Sequence, residues 1–285
     1  EIGPMIAAGV TLPLVSLEAA RAISAEAVRQ GRDARCHLAL DTGMGRAGIL
    51  WDRAPALLPD LLALPRLDLE GLFTHFPLAY ESASAFTQEQ LRRFRVVLDA
   101  AEALGHRFRW VHAANSDAIN NAPAACAAPF NLVRCGINLH GAFDAAGSLR
   151  VPLRPVLTMT TRLAQIRDLP EGTPIGYGHT YRTRRPMRVG TVCAGYADGL
   201  PLALSNRGSV LIRGVPVPIL GRLSMDYLTV NLDDVPEARV GDVVTLLGRD
   251  GDHEIPVQDW AALKGTHAYD IICSIGSRVA RQYQG

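Results

Sequence analysis

Four polar clusters stand at the ends of apolar runs in the first half of this chain. Asp41, Thr42 and Arg46 follow "CHLAL"; Thr74 and His75 follow "LEGLF"; Asn115 and Ser116 follow "RWVHAA"; Arg134, Gly136 and Ile137 lie within "NLVRCGINLHG". If the runs are parallel strands, their carboxyl ends lie together and these side chains face one ligand. Two arginines suit an anion or an electron-rich ring atom. Ser116, at a strand-to-helix junction with free backbone N–H groups, suits a phosphate. The set describes a phosphorylated, aromatic, anionic small molecule.

The stretch "DTGMGRAG" (41–48) also fits the spacing G-x-G-x-x-G through Gly43, Gly45 and Gly48, with Asp68 and Glu70 some way downstream. Spacing alone does not exclude a dinucleotide fingerprint. The stretch follows a second strand pattern rather than a first, and no Gly-Lys-Ser/Thr follows it. The other reading is a strand-to-helix turn whose glycines supply positive φ.

Positioning such residues requires strands that alternate with helices. "LPLVSL" precedes "EAARAISAEAVRQG", "CHLALDTG" precedes "DRAPALLPDLLAL", "LEGLFTHF" precedes "TQEQLRRFRVVLDAAEALG", "RWVHAANS" precedes "DAINNAPAA", and "NLVRCGINLHG" closes the series as a fifth strand. This alternation predicts α/β architecture with a parallel sheet or barrel. Gly105 is placed to cap the third helix. Near residue 150 the texture changes to short strands punctuated by Gly, Pro and Asp, with helical pattern returning at "VQDWAALKG". Residues 1–149 and 150–285 are therefore expected to be two domains, the second mainly β. No internal repeat occurs.

The 285 residues carry a net charge of +1, with 48% hydrophobic and 20% charged residues. Such a balance gives no electrostatic case for nucleic acid or an anionic membrane. The apolar runs fall short of a spanning helix. The five cysteines are scattered, odd in number and without a C-x-x-C pair, which argues against a disulfide framework or zinc site and for a reducing, cytosolic setting. Among 29 basic residues one is a lysine, Lys264, so lysine chemistry needs Lys264 or a residue outside this sequence.

Taken in order, "LALDTGMGRAG", "LFTHF", "HAANS", "VRCGINLHG", "GYGHTY", "GYADGLPLALSNRG" and "ILGRLSMD" resemble the alanine racemases, pyridoxal-phosphate enzymes of fold type III. The resemblance implies a (β/α)8 barrel followed by a β domain, with 1–149 its later strands. It places Arg134 at the cofactor's pyridine nitrogen and His75 beside the ring, with Ser116 and the backbone of Gly136 and Ile137 holding the phosphate and Asn115 among the cofactor-binding residues. Arg46 would reach the phenolic oxygen and the substrate carboxylate, so that "DTGMGRAG" is a turn that aims an arginine. Tyr177 matches the catalytic tyrosine. A tyrosine ordinarily ionises near pH 10, so base work needs an activating network, here His75 and Arg134. Met225 would bind the substrate carboxylate through its backbone, and Tyr196 would line the entrance. The family's head-to-tail homodimer draws the tyrosine and methionine from the partner subunit. The implied reaction is interconversion of L- and D-alanine for cell-wall precursor supply; no metal is implied.

Departures accompany the match. The family's cofactor-bearing lysine lies in a first-strand motif that has no counterpart here, and about five of eight strands are found. The sequence is thus expected to be the larger part of a longer racemase and inactive alone, with Lys264 a surface residue. Ala39 stands where many members carry a lysine that orients the arginine matched to Arg46. Cys135 replaces a proline, His140 a common tyrosine, and Ser277 a phosphate-binding tyrosine. A serine or broad-specificity racemase and a non-catalytic binder of an amino acid or phosphate are the alternatives.

Overall fold

The computed structural model describes residues 1–144 and 146–284 and divides them into two compact units. Residues Glu1–Gly136 and Ala146–Pro152 form the first; the other described residues form the second.

In the first unit a short helix α1 (Ile2–Ala7) precedes β1 (Leu12–Leu14), α2 (Leu17–Gln30), β2 (Ala34–Asp41), a two-residue β3 (Ile49–Leu50), α3 (Ala54–Leu62), β4 (Leu67–Phe73), α4 (Ala85–Ala103), β5 (Trp110–His112) and α5 (Ser116–Asn121). The strands pair in parallel in the order β1-β2-β4-β5, with β3 beside β2. Sequential parallel strands returned by helices make an arc of a (β/α)8 barrel. Periodicity and caps explain the helices. Ala20, Ile23, Ser24 and Ala27 of α2 form one buried stripe, the Ser16 hydroxyl accepts the Ala19 N–H, and Gly31 ends the helix at φ 66°. α4 buries Leu91, Phe94, Val97, Leu98 and Ala101, and Gly105 follows its end at φ 78°. Leu14, Leu38, Leu58, Leu61, Leu72 and Phe94 are fully buried, each worth about 1.5–3 kcal/mol relative to exposure.

The fifth expected strand is not one. Residues 131–136 run beside β5 without a ladder, tied by the Asn131 N–H to Val111 O and the Arg134 N–H to Ala114 O. The cause is Asn131. Its side-chain oxygen accepts the Val111 N–H and its amide donates to Arg109 O. One side chain thereby occupies the edge of β5 that a ladder would use. Arg134 sits in irregular backbone as a result.

The second unit contains β6 (Met159–Leu169), a hairpin of β7 (Pro174–Ile175) and β8 (Tyr181–Arg182), β9 (Met187–Val192), β10 (Ser209–Ile212), β11 (Val215–Leu220), β12 (Leu228–Asn231), β13 (Val243–Asp250) and β14 (His253–Ile255). Helices α6 (Val257–Lys264) and α7 (Ala268–Ser274) follow. The larger sheet is antiparallel in the order β10-β11-β12-β9-β6-β13-β14, and β10 also pairs β13. That extra pairing closes six strands into a ring and removes their open edges. Period-two burial is plain in β12, where Leu228 and Val230 point inward while Thr229 and Asn231 do not. Among the described residues no helix is long and apolar enough to cross a membrane.

Candidate active site

The first unit gathers its site residues on the loops after β2, β4 and β5 and on the irregular segment 131–136. In the loop after β2, the Asp41 carboxylate accepts the Gly43 and Gly45 N–H groups at 2.9 and 3.1 Å. The backbone donors that would cradle a phosphate already hold the loop's own aspartate. Gly48, at φ 119°, lies so close to β2 that a Cβ there would fall 2.8 Å from Ala39 O. Thr42 carries the rest of the anchoring. Its hydroxyl meets Thr74 Oγ1 at 2.7 Å and accepts Gln90 Nε2 at 3.0 Å, and its carbonyl accepts Arg93 Nη1 at 2.8 Å. Gln90 also donates to His75 O, so one residue of α4 joins the loops after β2 and β4. Ala39 is buried in β2, and the bonds to Thr42 hold the loop that follows it. Arg46 emerges exposed from this loop.

Arg134 is the most constrained member. Nη1 donates to His112 Nδ1 at 2.7 Å; Nη2 donates to Thr74 O at 2.6 Å and Ala113 O at 3.2 Å, and approaches His75 Nδ1 at 3.4 Å. Its guanidinium also lies over the Phe73 ring. Burial lowers Arg134 to about 10, so it stays charged near neutrality. His75 is lowered to about 4 by burial, then by the charges of Arg134 and Arg46. His112 is lowered to about 3 by burial, then by Arg134 and His37. Both imidazoles are therefore neutral, with one cation between them.

Around the third loop, buried Ser116 opens α5, and its hydroxyl accepts the Gly136 N–H at 2.9 Å. Asn115 caps the same helix through the Ala118 N–H and donates to Phe76 O. The first unit thus brings together Arg46, His75, Asn115, Ser116, Arg134 and Gly136.

Ile137 belongs to the second unit, buried at the start of a 3₁₀ turn (Ile137–His140). Tyr177 begins another such turn between Gly176 and Gly178, both at φ 71°, and is 70% exposed. Gly176 is required twice, since a Cβ would also fall 2.9 Å from the Arg222 backbone. The loops of Tyr196 and Met225 are one structure: the Tyr196 and Ala197 N–H groups donate to Ser224 O and Met225 O. Arg278 clips that pair by donating to Asp198 at 2.8 Å and Asp226 at 2.7 Å. Tyr196 and Met225 are exposed. Lys264 pairs with Asp270 at 2.6 Å. Among the described residues no group of three or more His, Cys, Asp or Glu could hold a metal ion.

Sequence reasoning missed Gln90, His37 and Arg278. Gln90 had a signal: it is a polar residue in the apolar stripe of α4, one turn before Phe94. Arg278 had none, because it acts across 80 residues to Asp198.

Family models for the alanine racemase N-terminal and C-terminal domains match residues 1–144 and 156–283. An alanine racemase of Syntrophobacter fumaroxidans is 41% identical over 262 residues, 91% of this chain and 68% of that protein. One from Symbiobacterium thermophilum is 40% identical over 97% of this chain and 73% of its own length. The crystal structure of alanine racemase from D-cycloserine-producing Streptomyces lavendulae superposes with a TM-score of 0.90 at 33% identity, covering 100% of this chain and 75% of the other.

Proposed function

This chain belongs to the alanine racemase family of isomerases, and from that premise we propose that the protein interconverts L- and D-alanine with pyridoxal 5'-phosphate, as a homodimer with shared sites, for peptidoglycan precursor supply in the cytoplasm. The observation that carries the reading is the arrangement about Arg134: a charged guanidinium bonded to neutral His112 and close to neutral His75, with the Ser116–Gly136 contact in the same unit.

The donor set fits such a cofactor. An arginine has five N–H groups, and the contacts of Arg134 leave Nε–H and one Nη1–H uncommitted among the described residues. A ring nitrogen could accept there. The Gly136 N–H now donates to Ser116 Oγ; exchanging that internal bond for a phosphate oxygen would leave the Ser116 hydroxyl and the N–H groups of Gly136 and Ile137 as its donors, with Asn115 among the cofactor-binding residues, and Arg46 suits a phenolic oxygen and a substrate carboxylate. Pyridoxal phosphate would acidify the substrate Cα–H by withdrawing electrons into its ring. Arg134, lacking a proton to give up near neutral pH, leaves the ring nitrogen unprotonated and so restrains side reactions. Tyr177 would move the proton on one face of the substrate, Met225 would hold the substrate carboxylate by its backbone, and Tyr196 would narrow the entrance.

Turnover of alanine, serine and lysine by the natural protein with added cofactor tests the reading. Preference for alanine is expected. Preference for serine or lysine would move the assignment to another amino-acid racemase, and binding without turnover of any would overturn it.

A further inference from the structure

Behind Arg134 the sheet carries polar groups that racemisation does not itself require. β2 and β4 pair Cys36 with Leu69 but His37 with Gly71, so Glu70 is the extra residue of a β-bulge. A bulge re-aims a side chain: Leu69 joins Cys36 in the hydrophobic core, while Glu70 and Gly71 both lie against His37. Gly71 lies under the His37 ring: a Cβ there would sit 2.4 Å from two of its atoms. Because Gly71 has no side chain, His37 reaches across β4 and meets His112 of β5, Nδ1 to Nε2 at 2.8 Å. Its other nitrogen is buried and faces the Glu70 carboxylate at 3.7 Å. Glu70 is itself held by the Thr11 hydroxyl at 3.3 Å and Arg109 at 3.9 Å.

Donor chemistry gives this chain one direction. Arg134 can only donate, so His112 Nδ1 accepts and its proton sits on Nε2. That proton can go only to His37 Nδ1, which leaves the His37 proton on Nε2, facing an acceptor. We propose that Glu70 is a positioning residue for Arg134: its bulged carboxylate ends a one-way chain Arg134–His112–His37–Glu70, fixing both imidazoles as Nε2–H tautomers and holding the guanidinium still. Its value to catalysis rests on the racemase reading; the direction of the chain does not. Phe73 stacks on His112 at 5.1 Å and 3° between planes, which further limits ring rotation.

The test is histidine and arginine side-chain ¹⁵N NMR on the full natural protein near pH 7, for wild type, Glu70→Gln and Glu70→Ala. Expected in wild type are unprotonated Nδ1 and protonated Nε2 at both His37 and His112, with separately resolved Arg134 Nη1 and Nη2 signals. Glu70→Gln keeps an acceptor oxygen and retains both features. Glu70→Ala lets His37 populate the Nδ1–H form and lets the Arg134 signals merge. A proton on Nδ1 of either histidine in wild type overturns the proposal, and so does a Glu70→Ala spectrum unchanged from wild type. The wild-type measurement decides even if Glu70→Ala does not fold. Because no turnover is read, loss of the racemase assignment would leave this result standing and separable.

Discussion

Acid should unfold this protein partly through His112. In the fold His112 titrates at about 3, against 6.5 for an ordinary histidine. Between those values the unfolded chain binds a proton that the folded chain refuses, so stability is complete above about pH 6.5 and falls as the pH drops toward 3. At about pH 5 the unfolded histidine gains roughly 1.5 pKa units of protonation free energy, about 2 kcal/mol. The residue is 4% exposed, so solvent screening removes little of this. Urea unfolding of wild type and His112→Asn at about pH 7 and pH 5 isolates the contribution, because exposed carboxylates titrate alike in both proteins. Wild type should lose about 2 kcal/mol more on acidification than the variant. Equal losses would refute the claim that burial beside Arg134 keeps His112 neutral.

Three substitutions probe other parts of the account. Gly71→Ala should cost about 1–3 kcal/mol by overpacking against His37, and His37→Ala in the same chain should recover most of it; a thermodynamic cycle on urea midpoints measures the coupling. Tyr177→Phe should leave stability within about 0.5 kcal/mol, as expected for an exposed side chain, while abolishing alanine racemisation in a polarimetric assay. Ser116→Ala should weaken cofactor binding about tenfold, the loss of roughly one good hydrogen bond, seen by absorbance titration with pyridoxal phosphate.

The residues assigned to the proposed ligand have local signals in the sequence. Apolar periods of two and 3.6 mark β2, α2, β4 and α4, and Arg46, His75 and Ser116 follow directly on strand patterns. What hid was set by contacts distant in sequence. Asn131 keeps "NLVRCG" from joining the sheet by bonding the backbone of Val111 and Arg109, about 20 residues earlier, and no strand propensity records that. The Glu70 bulge exists only in the register of β4 against β2. In one dimension Glu70 reads as an ordinary strand residue and as one of the acids downstream of "DTGMGRAG". Glycine spacing alone left that loop open between a phosphate cradle and a turn; the Asp41 carboxylate, which accepts its Gly43 and Gly45 N–H groups, makes it a turn.

The central claim is tested most directly by exchange at the substrate carbon. The natural protein is incubated in D2O with pyridoxal phosphate and either enantiomer of alanine, and both deuterium incorporation and optical rotation are followed. The account predicts Cα deuteration from either enantiomer and convergence on equal amounts of the two. Cofactor bound with neither exchange nor loss of rotation would contradict it.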